Sequence, residues 1–267
     1  MTAPFESLAR GCARAAGLSL LVAVLGPGAP AGAREAGDPI RLRFEEGDLG
    51  GLQTVFSEGR EQPIGTVEYR QRRDGDVLST LRIARFADGS SDEDLAVARI
   101  ADGRLEALHG HQIQRNARGE ETVAVTIDVA GDRVRASWGP PDAREAMDEA
   151  VALPAGTYWG PLVFIVLKNF AANAENGRLA FHTVAPTPRP RMLDLELVSG
   201  GVDTLERPGL TLDARRYRLR PTLHWLVDPI LAALVPDTTF WTLPGDPPSL
   251  ALFEGPRGYG GGRIVLR

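Results

Sequence analysis

Apolar and polar residues alternate along most of this chain, and one stretch breaks the alternation. Between residues 40 and 138 the alternation comes in short runs. Ile40-Arg41-Leu42-Arg43-Phe44 is the first, and 54–56, 64–69, 77–86, 94–100, 105–113, 122–129 and 134–138 follow. A period of two marks a half-buried strand. Asp74-Gly75, Asp88-Gly89, Asp102-Gly103, Arg118-Gly119 and Gly131-Asp132 lie between the runs. Such pairs favour hairpin turns, because they tolerate positive φ. The spacing predicts an antiparallel meander.

The break is GTYWGPLVFIVLKNFAANAENG, residues 156–177. Leu162 to Leu167 are six consecutive apolar residues, so no polar face remains and burial on all sides is expected. Pro161 suits a first helical residue, and Asn176-Gly177 suits a left-handed stop. The pattern predicts a buried helix over 161–170. Val163, Ile165 and Val166 are β-branched, which leaves a buried strand as the alternative. A bilayer span takes about 20 apolar residues, more than this segment has. Before it, 140–152 is rich in Ala and Glu and reads as a loop or short surface helix. After it, strands are expected at 178–184, 192–198, 210–219, 238–243, 250–253 and 264–266. Pro186, Pro188 and Pro190 mark a crossover or edge, and Asp228-Pro229 opens a short helix over 230–235. The fold class is mainly β: an antiparallel meander forming a curved sheet or open barrel around one central apolar helix.

Composition adds a destination. Arg10 and Arg14 precede an apolar core at 15–26, and Ala31-Gly32-Ala33 is a small-x-small cleavage site. Residues 1–33 are therefore expected to be a signal peptide and 34–267 a single β-rich domain, periplasmic or extracellular. No transmembrane span is expected after cleavage. Cys12, the only cysteine, precedes the apolar core, so it is not placed for lipid attachment, and the mature domain has no disulfide or thiol chemistry. The net charge of −5 gives no basic surface for nucleic acid. A single lysine, Lys168, stands among many arginines, which reads as genome composition.

The order of parts carries a resemblance. An opening strand bears Pro63-Ile64-Gly65-Thr66, a long meander follows, then the apolar segment 161–170, then strands ending near Trp225 and Asp228. Over residues 52–267 this resembles an uncharacterised family of exported bacterial domains of unknown function. Its organisation is similar to lipoprotein-carrier-type open β-barrels around a helix. The long second half, with its proline-rich crossover, departs from the compact carriers. The resemblance implies no catalytic residues.

Candidate chemistry is sparse. His109-Gly110-His111 places two imidazoles on one strand face, and a metal would need a third ligand such as His182 or His224. The acidic turn at 88–94 offers oxygens to calcium but lacks EF-hand order. No Gly-x-Ser-x-Gly elbow occurs, and the many carboxylate pairs single out none. No cofactor is expected. Tyr158, Trp159, Phe164, Trp225 and Trp241 are the candidate ligand-binding residues, since aromatics line apolar grooves as well as cores. The expected function is that of a non-catalytic envelope protein holding an apolar or lipid ligand in a concave sheet. The alternatives are an envelope hydrolase using carboxylates or His109/His111, and a structural module with a filled core.

Overall fold

Short turns with left-handed residues set the register of the sheet. Asp102 and Gly103 have φ of 51° and 70°, which closes Ala101 directly onto Arg104. That is the two-residue hairpin whose twist matches the flanking strands. The computed structural model describes residues 35–185, 191–207, 209–222, 238–258 and 261–267, all within the unit Arg34–Arg267. The first meander comprises β1 (Ile40–Arg41), β2 (Leu49–Ser57), β3 (Pro63–Asp74), β4 (Val77–Phe86), β5 (Ser91–Ala101), β6 (Arg104–Arg115), β7 (Glu121–Asp128), β8 (Arg133–Trp138) and β9 (Glu145–Ala150). Two helices follow, α1 (Leu162–Lys168) and α2 (Phe170–Asn173). The second meander is β10 (Arg178–Ala185), β11 (Arg191–Arg207), β12 (Leu210–Pro221), β13 (Thr238–Leu243), β14 (Ser249–Pro256) and β15 (Arg263–Leu266).

All ladders in the described residues between these strands are antiparallel and join into one open sheet. Its order is β10-β11-β12-β13-β14-β15-β2-β3-β4-β5-β6-β7-β8-β9. The last strand welds the two meanders: Val265 of β15 pairs with Phe56 of β2. β7 reaches along β6 only from His109 to Arg115, and β1 pairs with the uncovered Arg104 and Leu105.

Four expectations are corrected. The 140–152 segment is neither loop nor surface helix throughout. After a single 3₁₀ turn at Pro141–Ala143, Glu145–Ala150 pairs with β8 as strand β9. Arg133 and Arg135 of β8 both reach Asp148, so an acidic segment of strong helix formers is drawn into a ladder by cross-strand charge. Asn176-Gly177 is not a helix stop. Both residues have positive φ, 50° and 74°, and they form the two-residue turn between Glu175 and Arg178 that opens β10. The helix expected over 161–170 ends instead at Lys168, where Asn169 leaves helical geometry, and α2 adds one further turn. Nor is α1 buried on every side: Val163, Phe164 and Lys168 are half-buried. The helix expected at 230–235 lies outside the described residues.

The core has two parts. The larger joins Leu105, Ile127 and Val134 of the first meander, Leu162, Ile165 and Val166 of α1, and Leu195, Leu197 and Phe240 of the second. The smaller gathers Val55, Val67, Ala84, Phe86, Ile264 and Leu266 around the weld.

Candidate functional site

Between the two clusters lies a cavity of about 500 Å³. Pockets for small ligands commonly fall between about 300 and 1,000 Å³. One wall is strand β3, where alternation sends Val67, Tyr69 and Gln71 to the same side. The opposite wall is α1, through Phe164, Ile165, Leu167 and Lys168. Leu250 and Leu266 add apolar surface from β14 and β15. Leu49 is 56% exposed, beside the lining glycines Gly50 and Gly51.

The polar end of this cavity is built from distant parts of the chain. After β1 the backbone runs along the helices, held by two asparagines. Asn173 Oδ1 accepts the Arg41 N–H at 2.7 Å, and its Nδ2 donates to the Arg41 carbonyl at 2.8 Å. Asn169 Oδ1 accepts the Arg43 N–H at 2.7 Å. Buried amides thus satisfy backbone groups that no strand reaches. The same course carries Glu46 to Lys168, whose Nζ lies 2.5 Å from Oε2. Gln71 Nε2 donates to Glu46 Oε2 at 3.1 Å and to the Gly47 carbonyl at 2.8 Å. Tyr69 donates its hydroxyl to Gln71 Oε1 at 2.9 Å. Burial, and after it the Glu46 carboxylate, push the Tyr69 phenol far above its ordinary pKa, so it remains a neutral donor. Glu46 is fully buried, and its other oxygen, Oε1, has no hydrogen-bond partner among the described residues.

Arg82 also lines the cavity, but Asp94 holds its guanidinium through Nε at 2.6 Å and Nη2 at 2.5 Å. Burial opposes the charge of Arg82, and the attraction of Asp94 together with Asp92 more than offsets it, raising its pKa.

Of the aromatic candidates, Phe164 alone borders the cavity among the described residues. Its ring stands edge-on to Tyr69 and to Phe240, each at 6.1 Å between centroids. Tyr158 is in the core, where its hydroxyl donates to the Leu105 carbonyl at 2.6 Å and accepts the Ile40 N–H at 2.9 Å. Trp159 is also in the core, over Gly110, with Nε1 donating to the Leu95 carbonyl at 3.3 Å. Trp241 is buried on another face and donates to Asp203 Oδ2 at 2.9 Å. Trp225 lies outside the described residues.

His111, His182 and the acidic turn have protein partners. His111 Nε2 meets Glu93 at 2.8 Å, His182 Nδ1 meets Asp194 at 2.6 Å, and His109 is exposed. His224 lies outside the described residues, among which no group of three or more potential metal ligands occurs. In the acidic turn, Arg257 bonds Ser90 Oγ at 2.6 Å and Asp92 at 3.3 Å, and it stacks 3.5 Å from the centre of the Phe86 ring. Burial raises the Asp92 carboxyl above its ordinary pKa, against the pull of Arg257. These oxygens tie the C-terminal segment to the β4–β5 hairpin.

Alternation could not reveal Glu46, Gln71 or Lys168. One signal was present: the only lysine in the chain sits in the most apolar run of residues 34–267, where an ammonium requires a partner.

No protein-family model and no curated protein matches the chain. Among solved structures it is similar to the crystal structure of a beta-barrel-like protein of domain of unknown function DUF1849 from Brucella abortus. The identity is 9%, the TM-score 0.47, and the match covers 85% of this chain and 96% of that one. No helix among the described residues is long and apolar enough to cross a membrane.

Proposed function

We propose that this is an exported, non-catalytic domain that holds the acyl chain of a lipid-like ligand. The carrying observation is the cavity of about 500 Å³ between β3 and α1, apolar along Val67, Phe164, Ile165, Leu167, Leu250 and Leu266. On this reading the sheet curves as an open barrel, and α1 fills part of its concave face, leaving the cavity beside it. The leader-like residues 1–33 support export to the periplasm or beyond. Each methylene buried contributes about 0.8 kcal/mol, so a long chain can bind tightly with few polar contacts.

Gly51 offers a clean test. It lies directly opposite Tyr69, so a side chain there shares the cavity face, and a Cβ would meet nothing within 4 Å. The full chain is titrated with fluorescent acyl probes, alongside Gly51→Trp. Saturable binding that weakens in Gly51→Trp, with an unchanged circular dichroism spectrum, is the expected result. Absence of saturable binding by every acyl probe overturns the reading.

A further inference from the structure

We infer that the ligand carries a head group with hydrogen-bond donors and no negative charge, a hydroxyl or carboxamide rather than a carboxylate. This rests on the acyl-chain reading above and concerns what the polar end of the same cavity selects.

Two donors at that end meet on one acceptor oxygen, and a third feeds the chain that leads to it. Tyr69 donates to Gln71, Gln71 donates to Glu46, and Lys168 places its ammonium on the same carboxylate oxygen. Gln71 has spent both amide protons, on Glu46 and on the Gly47 carbonyl. An ionised carboxylate offers about four acceptor positions. Glu46 Oε1 uses none of its own among the described residues, although the side chain is fully buried. A buried acceptor without a donor is costly, and a ligand that supplies one recovers that cost.

Charge points the same way. Each cation lining the cavity already has its own carboxylate: Lys168 has Glu46, and Arg82 has Asp94. Glu45, Glu46 and Asp48 line it as well. Arg73 draws on Glu45 at 3.5 Å and on the Asp48 carboxylate through its backbone N–H, but its side chain does not line the cavity. A ligand carboxylate would therefore bring a second anion beside a buried one, which low dielectric penalises. A hydroxyl or amide adds no charge. It can donate to Glu46 while accepting a remaining proton of Lys168.

The test is competition against a bound fluorescent acyl probe on the full chain, using hexadecanol, hexadecanamide and hexadecanoate below their aggregation limits. The alcohol and the amide are expected to displace the probe at concentrations at least about tenfold lower than the carboxylate, roughly 1.4 kcal/mol in affinity. Glu46→Gln, which adds a donor and removes the charge, is expected to shrink that gap to less than about threefold. Equal or better displacement by hexadecanoate on the wild-type chain overturns this inference and leaves the acyl-binding reading standing. Failure of the probe and of all three competitors to bind overturns both. The wild-type comparison decides the matter even if Glu46→Gln does not fold.

Discussion

Lys168 places its ammonium 2.5 Å from the carboxylate of Glu46, across 122 residues of sequence. Asn173 and Asn169 clamp the backbone of Arg41 and Arg43 against the helices, and the chain leaving that clamp delivers Glu46. The pair therefore joins the segment between β1 and β2 to the helical segment between the meanders. It also supplies the polar end of the cavity.

Lys168→Met leaves Glu46 buried and without a counter-charge. Removing one partner of a buried pair costs about 3 kcal/mol or more, whereas replacing both by apolar residues is often close to neutral. Urea unfolding is expected to show that loss for Lys168→Met and to recover most of it in Glu46→Leu/Lys168→Met. A single variant as stable as wild type contradicts the pairing.

Trp159 is a core residue, and its replacement tests packing rather than binding. A Cβ on Gly110 would collide with the Leu95 carbonyl oxygen and lie 2.9 Å from the Trp159 ring. Gly110→Ala is expected to destabilise by at least about 1–3 kcal/mol through overpacking. Trp159→Phe is expected to lower the thermal midpoint while leaving the apparent affinity for an acyl probe unchanged. An affinity loss with an unchanged midpoint would move Trp159 into the site.

Edge strand β9 depends on ionised Asp148. Hydrogen bonding from Arg133 is the main cause of its depressed pKa, and charge from Arg135 adds to it. A carboxyl whose folded pKa is depressed stabilises the fold above its unfolded pKa. That contribution is lost as pH falls through the folded value. Amide-exchange protection across 145–150 is expected to fall in acid below the ordinary carboxylate range, and Asp148→Asn is expected to show the low protection already at neutral pH. Protection in β9 that ignores both changes rules the anchor out.

Export predicts a processed terminus. On the proposed export, Arg10, Arg14, the apolar core and Ala31-Gly32-Ala33 make cleavage before Arg34 the expected outcome. N-terminal sequencing of protein from an envelope fraction is expected to begin at or near Arg34. Recovery of soluble cytoplasmic protein that retains residues 1–33 contradicts the proposal.

Much of the sheet was legible in sequence because strand alternation and two-residue turns are local. Val77–Phe86 and Thr238–Leu243 form strands at the bounds their patterns predict, and Asp102-Gly103 closes its hairpin as expected. Local patterns misled where a local feature has two uses. Asn176-Gly177 suits a helix stop and a hairpin turn equally, and Glu145–Ala150 pairs with β8, where Arg133 and Arg135 meet Asp148. The aromatics at 158 and 159 could be read as core or cleft, and the small residue beneath Trp159 decides for core. Local pattern alone marks a β-rich chain with one apolar interruption after a leader-like start. That Glu46, Gln71, Tyr69 and Lys168 meet at one end of a cavity emerges from the folded arrangement. Side-chain period depends on neighbours in the chain. Which carboxylate reaches a buried lysine depends instead on the register of the 40–46 segment along the helices, and on the pairing of strands far apart in sequence.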